Sequence, residues 1–404
     1  MLAGPGAHCF GDEERKEVME VLESGHLSRY GSLDDLSFGH KVYSLEQEFA
    51  ALCGSRHAVA TSSGTGSILI SLLALGIGPG DEVLVPGFTY VASIGAIVHA
   101  RATPVLVEVD ESLTMDPADV RAKITERTRA IMPVHMLGNP CDMTALRQIA
   151  DQYGLSLVED CAQAGGATFR GKRVGTFGEY GAFSLNRYKM MAAGDGGIIV
   201  TDDQDLYERA FALHDQGHTP LRDGMKEAGP RSLIGLNFKM NELTGAVALA
   251  QTRKLDWMLE TLREKKAQLK AQLPVVDGMR FRTINDLEGE CATLLTVLFD
   301  TREQAERVAG NIGGRTVGSS GWHIYHRMDQ IVEHKTPGAD WSQPARHRNA
   351  GDLPRTDDIL SRAVNLSVGV VDSGIGAGFG INFGSTSAEI AEVAGRFAEA
   401  VRTA

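Results

Sequence analysis

Cysteine pairs, an excess of positive charge and long apolar runs are all missing from this chain. Its five cysteines (Cys9, Cys53, Cys141, Cys161 and Cys291) are scattered, odd in number and form no Cys-x-x-Cys pair. That pattern gives neither a disulfide framework nor a zinc ribbon, and it fits a reducing compartment. Lysine and arginine, 40 together, are outnumbered by 52 acidic residues, for a formal net charge of −12. Such a balance argues against nucleic acid or anionic lipid as partners, because both select basic surfaces. The most apolar stretch, Ile68–Ile77, is far short of the ~20 residues that a membrane-spanning helix needs. The opening residues Met1–Lys16 have neither the basic start nor the apolar core of a secretory signal. The expectation is a cytoplasmic protein with no membrane or nucleic-acid partner.

What is present is an ordinary globular composition, 43% hydrophobic and 23% charged, with no low-complexity tract. At 404 residues the chain exceeds the ~250–300 at which single cores stop growing, so a large α/β domain and a smaller one are expected. Short β-branched runs recur at His57–Thr61, Glu82–Pro86, Thr103–Val109, Ala130–Val134, Ser156–Glu159, Tyr180–Ser184 and Gly197–Thr201. They are nearly continuous in apolar character, as strands covered on both faces must be. Several are followed by amphipathic stretches such as Met143–Tyr153, with Leu146, Ile149 and Ala150 on one face and Asp142 as cap. These features predict a mostly parallel, doubly wound seven-stranded sheet flanked by helices. The last two runs are joined by a glycine-rich stretch, so that corner is open to an antiparallel pairing. Met240–Leu273 reads as one long helix or two abutting ones, leading from a first domain (1–250) to a smaller C-terminal α/β domain (251–404).

Ligands of open α/β sheets sit beyond the carboxyl ends of the strands, and four stretches fall at such ends. Ser62–Ser67, rich in glycine and hydroxyls, opens an apolar helix. Its backbone N–H groups would suit a phosphate, although an ordinary capped helix start has the same composition. Pro86–Tyr90 brings Phe88 and Tyr90 past a strand, where an aromatic can stack on a flat ring or fill core. Asp160 ends an apolar strand, costly unless it meets a cation such as a protonated pyridine nitrogen or caps a helix. Neighbouring Glu159 reads as a structural or solvated charge. Lys189 lies in an apolar approach to the glycine-rich turn Gly194–Gly197. Desolvation there disfavours the ammonium form and leaves an amine that can form an imine, where a surface lysine would stay charged.

Other signals are weaker. Gly374–Gly380 has Gly-x-Gly spacing but lacks the strand–turn–helix context of a dinucleotide site. His323, His326 and His334 raise the question of a metal, yet their spacing fits no familiar site, and no metal is expected. His135 follows a strand and suits either a pocket wall or a satisfied structural position.

These residues together resemble the DegT/DnrJ/EryC1/StrS group of sugar aminotransferases. The resemblance is carried by Gly11–Glu14, Leu27–Gly31, Leu45–Ala50, Ser63–Thr65, the Asp160-Cys161-Ala162-Gln163 stretch, and Lys189 followed by Gly194-Asp195-Gly196-Gly197. It implies a fold-type I enzyme with pyridoxal 5'-phosphate linked to Lys189 as a Schiff base. It also implies that Asp160 faces the ring nitrogen, Gln163 the ring hydroxyl side, and that Tyr90 stacks on the ring. Gly64, Thr65 and Ser184 would hold the phosphate. Asn237, in the stretch Gly235–Met240, would reach the phosphate of a neighbouring subunit, which implies a homodimer with shared sites. This sequence departs from the family pattern at Lys239, usually Arg, and at Asp195, usually Glu. The implied substrates are L-glutamate or L-glutamine as donor and a keto or aldehyde sugar or cyclitol as acceptor. The run Trp322–His326 is closer to members acting on free sugars or cyclitols than on sugar nucleotides. A fold-type I lyase or dehydratase would use the same Lys189 link on another bond. A non-catalytic cofactor-binding regulator is a third reading, disfavoured by the intact Lys189–Asp160 pair.

Overall fold

In the computed structural model, residues 3–31, 35, 37–220, 226–227 and 233–404 are described. Seven strands form one sheet: β1 (His57–Thr61), β2 (Glu82–Pro86), β3 (Thr103–Val107), β4 (Thr128–Ile131), β5 (Ser156–Asp160), β6 (Tyr180–Ser184) and β7 (Gly197–Thr201). Their order across the sheet is β1-β7-β6-β5-β4-β2-β3. Every neighbouring pair is parallel except those of β7, which runs against both β1 and β6. The glycine-rich Gly194–Gly197 connection therefore makes an antiparallel corner; helices cross over between β1 and β5, while β5 and β6 are joined by turns and a short hairpin, Thr168–Phe169 with Lys172–Arg173. All residues of β2, β3 and β7 are buried, as a sheet covered on both faces requires.

Two strands stop earlier than their apolar runs. β3 ends at Val107 because the Glu108 N–H turns to the Asp119 carboxylate, 2.7 Å away. β4 ends at Ile131 two residues before Pro133, which has no N–H to give the ladder. Val134 resumes pairing beside Asp160 in a single bridge. The helix Met143–Tyr153 follows its sequence pattern: Asp142 accepts from the Ala145 N–H at 3.1 Å, and Leu146, Ile149 and Ala150 are buried.

Met240–Leu273 contains two abutting helices, Glu242–Arg253 and Leu255–Gln272, which meet at Lys254. Beyond them lies a second, antiparallel sheet of β8 (Met279–Phe281), β9 (Leu294–Phe299) and β10 (Ala363–Ser367) in that order. The helices Leu255–Gln272, Arg302–Asn311 and Ser387–Arg402 pack with it. One apolar core runs from Phe49 and Phe183 through Met240 and Leu259 to Val297 and Phe397, joining the two sheets. The first residues of the chain fold back onto the segment that carries Lys189. The Gly6 N–H donates to the Lys189 carbonyl at 3.3 Å, and a Cβ at Gly4 would fall 2.5 Å from the Tyr188 backbone. Among the described residues, no helix is long and apolar enough to cross a membrane.

Candidate active site

A cavity of about 480 Å³ opens at the carboxyl ends of β1, β2, β5 and β6, within the ~300–1,000 Å³ range of small-molecule sites. After β1 the chain turns into the helix Gly64–Ala74, and Ser63 caps it by accepting from the Gly66 N–H at 3.0 Å. The N–H groups of Gly64 and Thr65 are then the first two of the helix, with no intrahelical acceptor, and both residues line the cavity. Ser184, the last residue of β6, lies so close that a Cβ at Gly64 would fall 2.6 Å from its own Cβ. Glycine is what lets strand and helix meet there. The result is a concave set of donors at a helix start, suited to a phosphate.

Asp160 is buried at the end of β5, and both carboxylate oxygens are fixed. One accepts from the Ser93 hydroxyl at 2.7 Å and the other from the Ala162 N–H at 3.0 Å. Ser93 also bonds the Thr89 hydroxyl at 2.7 Å, one turn earlier on the helix that follows β2. The strand end is braced from behind. The His135 N–H donates to the Asp160 carbonyl at 3.1 Å, and the His135 ring lies 3.1 Å from Glu159. Glu159 also accepts from the N–H groups of Gly175, Phe177 and Gly178. Glu159 and His135 are thus structural.

Lys189 lines the same cavity. Crowding by protein lowers its ammonium below the ordinary lysine value, and the charges of Asp160 and Asp372 only partly oppose this. Gln163 accepts from the Leu137 N–H at 2.9 Å, which leaves its amide nitrogen available to the cavity. Tyr90 is 44% exposed, with its ring tilted against His323 at 5.3 Å, whereas Phe88 is fully buried. Burial, together with the Lys189 charge, pushes His323 down to about 3, so it is neutral at physiological pH.

The cavity therefore gathers Gly64, Thr65, Tyr90, Asp160, Gln163, Ser184 and Lys189. Asn237 does not line it; it is exposed and pairs with Asp215 in an isolated bridge.

The chain matches the DegT/DnrJ/EryC1/StrS aminotransferase family over residues 8–371. It belongs to that family. GDP-perosamine synthase of Caulobacter vibrioides is 39% identical over 244 residues, 60% of this chain and 62% of the relative. L-Glutamine:2-deoxy-scyllo-inosose aminotransferase of Streptoalloteichus tenebrarius is 38% identical over 268 residues, 64% and 62% of the two chains. These matches span less than two thirds of either curated relative. The crystal structure of 3-amino-5-hydroxybenzoic acid synthase superposes with a TM-score of 0.79 at 30% identity, covering 98% of this chain and 97% of that one. The fold is thus that of the fold-type I enzymes, and the family's cofactor is pyridoxal 5'-phosphate. The residues present fit it: free helix-start donors for a phosphate, a fixed buried carboxylate for a cationic ring nitrogen, and a lysine poised as an amine.

Several lining residues escaped sequence reasoning. Ser93 had a usable signal, since it follows Thr89 by one helical turn in a stretch already singled out. Asn186 and Asp195 flank Lys189 and join through a 3.3 Å hydrogen bond. Leu137, Thr293, Val370 and Asp372 come from turns with no local motif. His323 belongs to the pocket, while His326 pairs with Asp357 at 3.3 Å and His334 with the Ser342 carbonyl at 2.9 Å. The three histidines do not converge on one point. Gly374 and Ile375, from the Gly-x-Gly stretch, also line the cavity.

Proposed function

We propose that this protein is a pyridoxal-phosphate aminotransferase that moves an amino group from L-glutamate or L-glutamine to a keto or aldehyde sugar or cyclitol. The observation that carries the reading is a lysine with a lowered ammonium pKa sharing one cavity with a buried, doubly hydrogen-bonded aspartate. When bound, the cofactor supplies an electron sink for the carbanion at the donor's α-carbon.

The chain's own residues do the rest. The Lys189 Nζ amine is the attachment point and the base that takes the α-proton. Asp160 holds the ring nitrogen charged, and Ser93 and the Ala162 N–H keep its carboxylate from turning away. Gln163 would meet the ring hydroxyl, Tyr90 would stack on the ring, and Gly64, Thr65 and Ser184 would hold the phosphate. Asn237 serves the partner's phosphate in a homodimer. Its exposure, beside the exposed apolar side chains of Ile234 and Leu236, supports that reading. Polar lining groups such as Asn186, Thr293, His323 and Asp372 suit a polyhydroxylated acceptor. They also favour a polar donor, because an apolar one would leave them unpaired.

A cofactor-binding part (1–250) and a smaller part (251–404) are supported by the two separate sheets and the helix break at Lys254. Five free cysteines suit the cytoplasm.

The test is borohydride reduction of the cofactor-loaded protein followed by peptide mapping, with pyridoxyl mass expected on the Lys189 peptide. Label on another lysine, or none, overturns the assignment. Conversion of the cofactor to its amine form by glutamate or glutamine alone then separates amino transfer from a lyase or dehydratase.

A further inference from the structure

Behind the wall of the cofactor cavity lies a second, smaller one of about 160 Å³, between the helix Leu255–Gln272 and the 281–296 segment. Four cationic side chains line it, Arg263, Lys266, Lys270 and Arg282, against one carboxylate, Glu290. Glu290 is already engaged, with both oxygens on the Lys266 ammonium at 2.7 and 2.6 Å. A net formal charge of +3 is left facing a space well below the ~300–1,000 Å³ of drug-sized ligand sites.

Arg282 is the decisive residue. It is only 3% exposed, yet its Nε has no hydrogen-bond partner among the described residues. Its other nitrogens are committed, one to the Leu137 carbonyl at 2.9 Å and one to the Met136 carbonyl at 3.4 Å. Its nearest carboxylate oxygen, on Glu290, is 4.0 Å away. A buried guanidinium N–H without an acceptor is costly, and such groups are ordinarily satisfied. Burial holds Lys266 down to about 8 and Arg282 down to about 10, with Glu290 unable to compensate. The Lys270 ammonium, exposed at the mouth, lies 4.6 Å over the Phe281 ring.

We propose that this cavity is a binding site for a small tetrahedral oxyanion of the phosphate class, held by the positive charge of Arg282, Lys266, Arg263 and Lys270, which line it. Guanidinium and ammonium groups converging on a site of this size are what phosphate recognition uses. The size excludes a nucleotide. It admits either the free ion or the phosphate end of a monoester whose remainder leaves through the mouth beside Lys270. The site abuts the machinery without belonging to it. Arg282 holds Leu137, whose backbone is left-handed (φ 57°) and whose N–H meets Gln163 on the cofactor side.

The test uses cofactor-saturated protein, so that the cofactor's own phosphate subsite is filled. Inorganic phosphate is titrated at constant ionic strength, against chloride, by calorimetry or phosphorus NMR. Saturable uptake of one ion per chain is expected. Lys270→Glu should weaken it by at least roughly ten-fold, about 1.4 kcal/mol, and Arg282→Gln should abolish it. If Arg282→Gln does not fold, Lys270→Glu and Arg263→Gln decide. A hexose monophosphate that binds more tightly than phosphate assigns the ester as source, and one that binds equally or less tightly assigns the free ion. No uptake beyond the chloride control, or affinity unchanged in the variants, overturns the site. Binding is read without turnover, so this result and the aminotransferase reading stand or fall separately.

Discussion

On the sheet side of the cavity, Ser63, Asp160 and Ser184 each lie at a strand's end or two residues past it. On the opposite side, Trp322, His323, Val370 and Asp372 come from stretches outside the named strands. The first wall is positioned by ladder hydrogen bonds and buried strands, which fix backbone direction to within the register of the sheet. The second is positioned by turns and single bridges, such as Phe88 with Ile324 and Asp372 with Ala377. This contrast assigns the fixed carboxylate and the phosphate donors to the rigid wall, with Lys189 reaching them from the segment between β6 and β7, and substrate choice to the loop wall.

The largest effect that can break this division is at Lys189. Lys189→Ala should lose the chemical step by at least roughly 10²–10⁴-fold, the range of a positioned acid–base group. Trp322→Ala on the facing wall should chiefly alter KM and the ranking of acceptors. Single-turnover rates with glutamate measure the first, and steady-state KM values across a set of acceptors measure the second. A Trp322 variant as impaired as the Lys189 variant would erase the distinction between the walls.

Asp160→Asn comes next. The charge-assisted bond it removes is worth roughly 1.5–3 kcal/mol, or about 10–150-fold in rate. Ser93→Ala keeps the charge on the ring side and removes only a bond that steadies the carboxylate, so its loss of rate should be smaller than that of Asp160→Asn. If Ser93→Ala equals Asp160→Asn, orientation rather than charge is what the strand end supplies. Near-parental rates in Asp160→Asn would place the ring nitrogen elsewhere.

The third effect concerns Asn237, absent from the cavity of its own chain. Mixing Asn237→Ala with Lys189→Ala protein gives mixed dimers in which one site carries both defects and the other neither. After full exchange of a two-fold dimer, about a quarter of the parental activity should return. No return despite proven exchange would rule out sharing across the subunit boundary.

The two walls also differ in how far the sequence alone revealed them. All seven strands of the main sheet were readable, because burial on both faces forces β-branched runs, which helices or glycine-rich turns then separate. Asp160 and Lys189 stood out because a charge in an apolar setting demands a partner. The residue types left both Phe88 and Tyr90 open to a core role and the resemblance named Tyr90 for the ring; in the structure Phe88 is in the core and Tyr90 lines the cavity. β8 is three residues long and half-exposed, too short for periodicity to register. Of the loop wall, only the run Trp322–His326 was singled out in the sequence, through its likeness to members acting on free sugars or cyclitols; Val370 and Asp372 meet it through tertiary contacts that leave no local pattern.

His323 is expected to affect stability rather than rate, and the sign of the effect follows from burial. The residue is 7% exposed, its ring lies 2.9 Å from the Ser320 hydroxyl, and its folded pKa is near 3. In the unfolded chain a histidine titrates near ~6.5. Between those values the unfolded state binds a proton that the folded state refuses, so stability falls as pH drops through this window. Above about 6.5 both states are neutral at this position and the effect vanishes. His323→Asn keeps a polar side chain but cannot titrate. In the cofactor-free protein it should therefore lose less stability than the parent between pH 7 and pH 4.5, the difference being on the order of 2 kcal/mol. Urea unfolding at several pH values measures it, and the difference between the two proteins cancels the carboxylates they share. Parallel slopes would mean that His323 is solvated enough to protonate in the folded state. The loop wall would then be wetter than its burial suggests, and a neutral His323 could not be counted among the groups that meet the acceptor.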